Sequence, residues 1–133
     1  VKYIPTSNPW AVAATVLYAL WGILHAGLGV AMLIDADWGD AMDEAAAESN
    51  MFFTCAVVLG VQAVAVALAM NRLNSRRGYW LNLLVLGVVD VVFLVVMVAP
   101  GYVDLVGGMS GPVIWLAAAV TSTLARRGYP TTP

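Results

Sequence analysis

Between Leu81 and Ala99 the chain reads LNLLVLGVVDVVFLVVMVA, an apolar run with a single carboxylate, Asp90, near its midpoint. As a helix the run spans roughly 28 Å at about 1.5 Å per residue, close to the hydrocarbon thickness of a bilayer. A carboxylate at that depth costs about 2.5–3.5 kcal/mol on insertion scales. A partner, a water-filled cavity or a proton on the acid has to offset that cost. The stretch predicts a small helical membrane protein built around Asp90.

Composition points the same way. Of 133 residues 62% are hydrophobic and 11% charged, too few polar groups to cover a soluble domain of this size. One membrane domain, residues 1–133, is expected, with no second globular unit. The apolar stretches are continuous and do not alternate, which disfavours a β-barrel. The six basic residues, Lys2, Arg72, Arg76, Arg77, Arg126 and Arg127, fall in the tails and the middle loop. Six of the eight acidic residues, from Asp35 to Glu48, crowd the first loop. No basic nucleic-acid patch is formed; the arginines read as a topology signal, and secondarily as a hold for anionic headgroups. Cys55 is the lone cysteine, so it forms no intramolecular disulfide, and it reads as a packing residue.

Four spans follow, at about 10–34, 51–70, 79–99 and 110–125. The first is too long for a signal-peptide core and reads as a retained helix. Between spans one and two, DADWGDAMDEAAAESN turns at Trp38-Gly39 and then suggests a short separate acidic helix from Asp40. Its acidic spacing fails the twelve-residue calcium-loop pattern, and it reads as a solvated face. NRLNSRRG is a tight basic loop, and Tyr79-Trp80 mark an interface. PGYVDLVGGMSGP, rich in glycine and proline, reads as an irregular loop or re-entrant hairpin, with Pro112 in the first turn of span four. The expected fold is therefore all-α: an antiparallel bundle of four transmembrane helices, N-in/C-in. The termini and loop 71–78 are expected in the cytoplasm, loops 35–50 and 100–109 outside. Size and simplicity suggest a bacterial or archaeal cytoplasmic membrane.

Three polar groups share a similar depth in this layout: His25 in span one, Gln62 in span two and Asp90 in span three. Tyr18, Trp21, His25 and Met32 lie on one face of their helix, as do Leu86, Asp90, Phe93 and Met97 on theirs. Together they predict an apolar, aromatic-lined pocket with a polar centre, its ligand-binding residues being Asp90, His25, Gln62, Tyr18, Trp21, Phe93 and Met97. The structural alternative is an interhelical hydrogen bond from Asp90 to Gln62 or His25. No cofactor and no metal are expected, since one histidine and one buried acid are too few ligands for zinc. Neither a GxSxG nor a Walker motif occurs, and no repeat marks a transporter. In layout alone the chain resembles several families of small bacterial membrane proteins, the DoxX-like group among them; no shared motif carries a residue role across.

The leading functional expectation is a binding protein for a lipid or lipophilic small molecule, acting as an accessory subunit of a larger membrane complex. A second is a membrane-embedded acid–base enzyme of isomerase or cyclase type, with Asp90 and His25 as the candidate catalytic pair. A third is a proton-coupled small transporter working as a homodimer, with Asp90 as the coupling acid; a homo-oligomer or a larger membrane complex is the expected partner.

Overall fold

The computed structural model describes residues 8–128; the tail around Lys2 and the last residues of the C-terminal tail lie outside them. Four helices carry the fold: α1, Pro9–Ile34; α2, Glu44–Ala69; α3, Arg76–Val98; and α4, Leu105–Gly128. Each is long and apolar enough to cross a membrane.

Local chemistry explains the boundaries. Asn8 opens α1 by accepting from the Trp10 and Ala11 amides, with Pro9 at the first helical position, where a missing N–H costs nothing. Asp43 caps α2 through the Ala46 amide at 2.8 Å. The alanine-rich acidic segment after it is therefore the first two turns of α2 and not a separate helix, so this span starts at Glu44, well before Met51. The fourth span also starts earlier than expected. Asp104 accepts from the Gly107 amide at 2.7 Å through its side chain and from Gly108 at 2.9 Å through its carbonyl. That cap makes LVGGMSG helical, and Pro112 sits inside α4 rather than in its first turn. Gly107, Gly108 and Gly111 are poor helix formers; two of them admit neighbours instead. A Cβ on Gly108 would stand 2.7 Å from Val98, and one on Gly111 2.8 Å from His25.

Two stretches of α3, Asn82–Leu86 and Leu94–Val98, widen into π-turns, a feature the sequence does not announce. The Trp115 indole donates to the Leu83 carbonyl (3.2 Å), and Gly87 lies against the Trp115 ring. A side chain competing for a main-chain carbonyl is a recognised cause of such irregularity.

Packing uses small residues. α1 packs along α2 and α4. Gly22 and Gly60 bring the first pair into backbone contact, and Gly29 repeats this against Phe53 and Val57. Between the helices lie Ala11, Ala14, Ala63, Ala67, Ala118 and the large rings of Tyr18 and Trp21. Val, Leu and Ile point outward instead: Ile23, Val58, Val88 and Val95 are all more than half exposed. Cys55 is exposed too, so it does not pack inside as expected. α3 meets α2 through its first half, and from Gly87 onward its backbone packs mainly on α4. Asn8 and Asn74 both donate to the Ala125 carbonyl at 3.1 Å, tying the start of α1, the 71–75 turn and the end of α4 together.

Gly22→Val would drive a side chain into the Gly60 carbonyl and Val64, and is expected to destabilise the protein by about 1–3 kcal/mol. Gly27, with open space at the same position, is the control: Gly27→Ala is expected to be neutral or to stabilise by about 0.5–1 kcal/mol. Reversible unfolding in mixed detergent micelles reads both.

Candidate intramembrane site

Asp90 is 2% exposed and lies on the short regular segment of α3 between its two π-turns. Its partner is Trp21: the indole Nε1–H donates to Oδ2 at 3.0 Å. Neither His25 nor Gln62 supplies that bond. Tryptophan suits the task because it carries one donor at the end of a long apolar body, so it crosses from α1 to a helix whose backbone α1 does not pack against.

His25 follows one turn later on α1. Its ring stacks on the Trp21 indole with centroids 3.7 Å apart and planes 18° from parallel. Nδ1 lies 2.8 Å from the Trp21 carbonyl. A carbonyl only accepts, so Nδ1 carries the hydrogen and the tautomer follows from the partner. Nε2 is left as the outward nitrogen.

The two groups meet at Gly111 of α4. From the point a Cβ on Gly111 would occupy, His25 Nε2 is 3.1 Å away and Asp90 Oδ1 3.5 Å. Glycine is required there because a Cβ would stand 2.8 Å from the His25 ring. Among the described residues neither atom has a second protein partner. The fully enclosed side-chain atoms without a partner, among the described residues, are Asn82 Oδ1 and Arg126 Nη1.

The other expected residues are placed differently. Tyr18 is fully buried, but its hydroxyl faces Ser122 of α4 at 3.4 Å. Phe93 and Met97 are half-buried on α3, one and two turns beyond Asp90. Gln62 stands apart. Gly60 abuts α1, and a residue two positions on is turned about 200° around the helix. The Gln62 side chain therefore points away from His25, and it makes no hydrogen bond among the described residues.

A second buried polar pair, with no charge to mark it in the sequence, lies beside the 71–75 turn. Asn82, fully buried, donates to Asn71 Oδ1 at 2.9 Å and to the Ala63 carbonyl at 3.3 Å. Asn71 opens the basic loop and Asn82 lies one helical turn into α3 beyond Gly78, both buried. No three His, Cys, Asp or Glu side chains come together as a metal site among the described residues. Compared with known proteins, the chain matches no family profile, no curated protein and no solved structure.

Trp21→Phe removes the donor to Asp90 and is expected to cost about 1–3 kcal/mol. Asp90→Asn keeps an oxygen that accepts the indole N–H and should cost less than Trp21→Phe. In a double-mutant cycle with Asp90→Leu the two losses should fall short of additive by about 1 kcal/mol. Full additivity in micelle unfolding would show that the bond contributes nothing.

Proposed function

We propose that the chain is an integral membrane protein that holds a lipophilic small molecule, bearing one hydroxyl-type polar group, at Trp21, Asp90 and His25. The observation that carries this reading is the approach of Asp90 Oδ1 and His25 Nε2 to one another at Gly111, both without a hydrogen-bond partner among the described residues. With Nδ1–H committed to the Trp21 carbonyl, a neutral His25 offers only the Nε2 lone pair. Asp90 offers an acceptor when ionised and a donor at Oδ1 when it carries its proton there. A hydroxyl both donates and accepts, so with the proton on Asp90 Oδ1 one such group accepts from the acid and donates to His25 Nε2. Phe93 and Met97 would supply apolar wall.

In this reading the spans form an antiparallel bundle with the arginine-rich end in the cytoplasm, following the bias of Arg72, Arg76, Arg77, Arg126 and Arg127. The acidic segment from Asp35 to Glu48 then faces outward. The same two atoms favour a second reading, in which Asp90 and His25 act as acid and base on the bound molecule. It differs in one respect: the compound recovered from the protein would be converted on incubation.

Mass spectrometry of molecules carried through purification tests the binding. His25→Phe preserves an aromatic ring against Trp21 but removes Nε2. A discrete hydroxylated lipophile is expected with the wild type, reduced about tenfold in the variant, the equivalent of one hydrogen bond. The same lipid complement in both proteins would refute the proposal.

A further inference from the structure

At the opposite end from the acidic segment, the first three turns of α3 carry a shallow groove lined by Arg76, Arg77, Trp80, Leu81, Leu84 and Val85. The residues recur at steps of four, so they form one stripe running down the helix from two guanidinium groups to aliphatic side chains. We infer that this stripe binds an anionic phospholipid, its phosphate held by Arg76 and Arg77 and one acyl chain lying along Trp80, Leu81 and Leu84.

Charge selects the ligand class. No acidic residue occurs in the sequence between Glu48 and Asp90, and Asp90 is buried against Trp21. Arg126 and Arg127 end α4 at the same end, where Arg126 lies 5.2 Å over the Tyr79 ring. The arginines at this end therefore lack carboxylates nearby in the chain, and guanidinium groups pair well with phosphate oxygens. Hydrophobicity selects the lipid over a free anion. Trp80, Leu81 and Leu84 are 46%, 40% and 55% exposed directly below the arginines, on a helix long and apolar enough to cross a membrane. An indole at the boundary between charge and hydrocarbon is the usual headgroup-level anchor. Only an amphiphile presents an anionic group to one end of the stripe and a hydrocarbon tail to the other. The site is independent of the Asp90 centre, and neither needs the other to exist.

Native mass spectrometry of the full chain, released from bilayers of phosphatidylglycerol and phosphatidylcholine with matched tails, tests it. The wild type is expected to retain phosphatidylglycerol in preference. Arg76→Gln with Arg77→Gln should lower that retention at least about tenfold, at about fivefold per arginine. Leu84→Gln should weaken it through the tail while leaving both charges in place. Arg72→Gln with Arg127→Gln makes the same charge change off the stripe and should leave retention unchanged. Equal retention of the two lipids by the wild type would overturn the site. So would an equal loss in the off-stripe pair, which would reduce it to diffuse charge. Displacement of the lipid by inorganic phosphate at comparable concentration would overturn the acyl half.

Discussion

The bond between the Trp21 indole and Asp90 is the constraint around which the helices are arranged. A carboxyl inside hydrocarbon needs a donor, and water is not at hand to provide one. The donor arrives from α1, which packs on α2 and α4, so it has to cross the middle of the bundle. Only a long, rigid, mostly apolar side chain does this without bringing further polar atoms that would need partners of their own. His25 completes the arrangement: stacked on the indole and bonded to the Trp21 carbonyl, it limits the rotation that would lose the bond.

That bond asks for room, and the room comes from the small residues. In a soluble domain the large aliphatic side chains would be inside. Here they face outward, and the interior is built from glycine, alanine and a few polar groups around three large side chains, Tyr18, Trp21 and Leu86. Lipid tails solvate Leu and Val as well as a protein core does, so burying them gains little. Close backbone approach gains dispersion contacts, which explains Gly22 on Gly60 and Gly29 on Phe53. Gly87 and Gly111 then do the same for large rings: one accepts the Trp115 indole, the other His25. The glycine-rich start of α4 follows from this need, and its helix-forming penalty is met by the Asp104 cap.

Much of this was legible from the residues. Four apolar runs of spanning length are four helices, and Asp90 in the middle of one has to be satisfied by another. His25 and Trp21 share the expected face. The azimuth of a residue was not legible: in an uninterrupted apolar run every face looks alike, so nothing says which side of α2 meets α1. Gly60 decides that, and it turns Gln62 away. The π-turns escaped for the same reason, since they change a phase that a uniform run does not record. Trp21 read as pocket wall because its single N–H is invisible to a search for ionisable partners. LVGGMSGP read as loop because propensity is local, whereas its glycines answer contacts from Val98 and His25.

The polar centre contrasts with the asparagine pair near the other end, and the contrast bears on function. Asn71 and Asn82 bond each other and the Ala63 carbonyl, and the one oxygen left over is sealed from any visitor. Such a pair fixes the spacing of α2 and α3 and does little else. At Asp90 one oxygen is bonded and the other has no hydrogen-bond partner among the described residues, beside a histidine nitrogen that also lacks one. Two unpartnered polar atoms side by side differ from the closed asparagine pair, because each keeps hydrogen-bonding capacity unused. Gly111 is what admits them: a Cβ there would stand 2.8 Å from the His25 ring, so glycine lets the imidazole close on α4 beside Asp90.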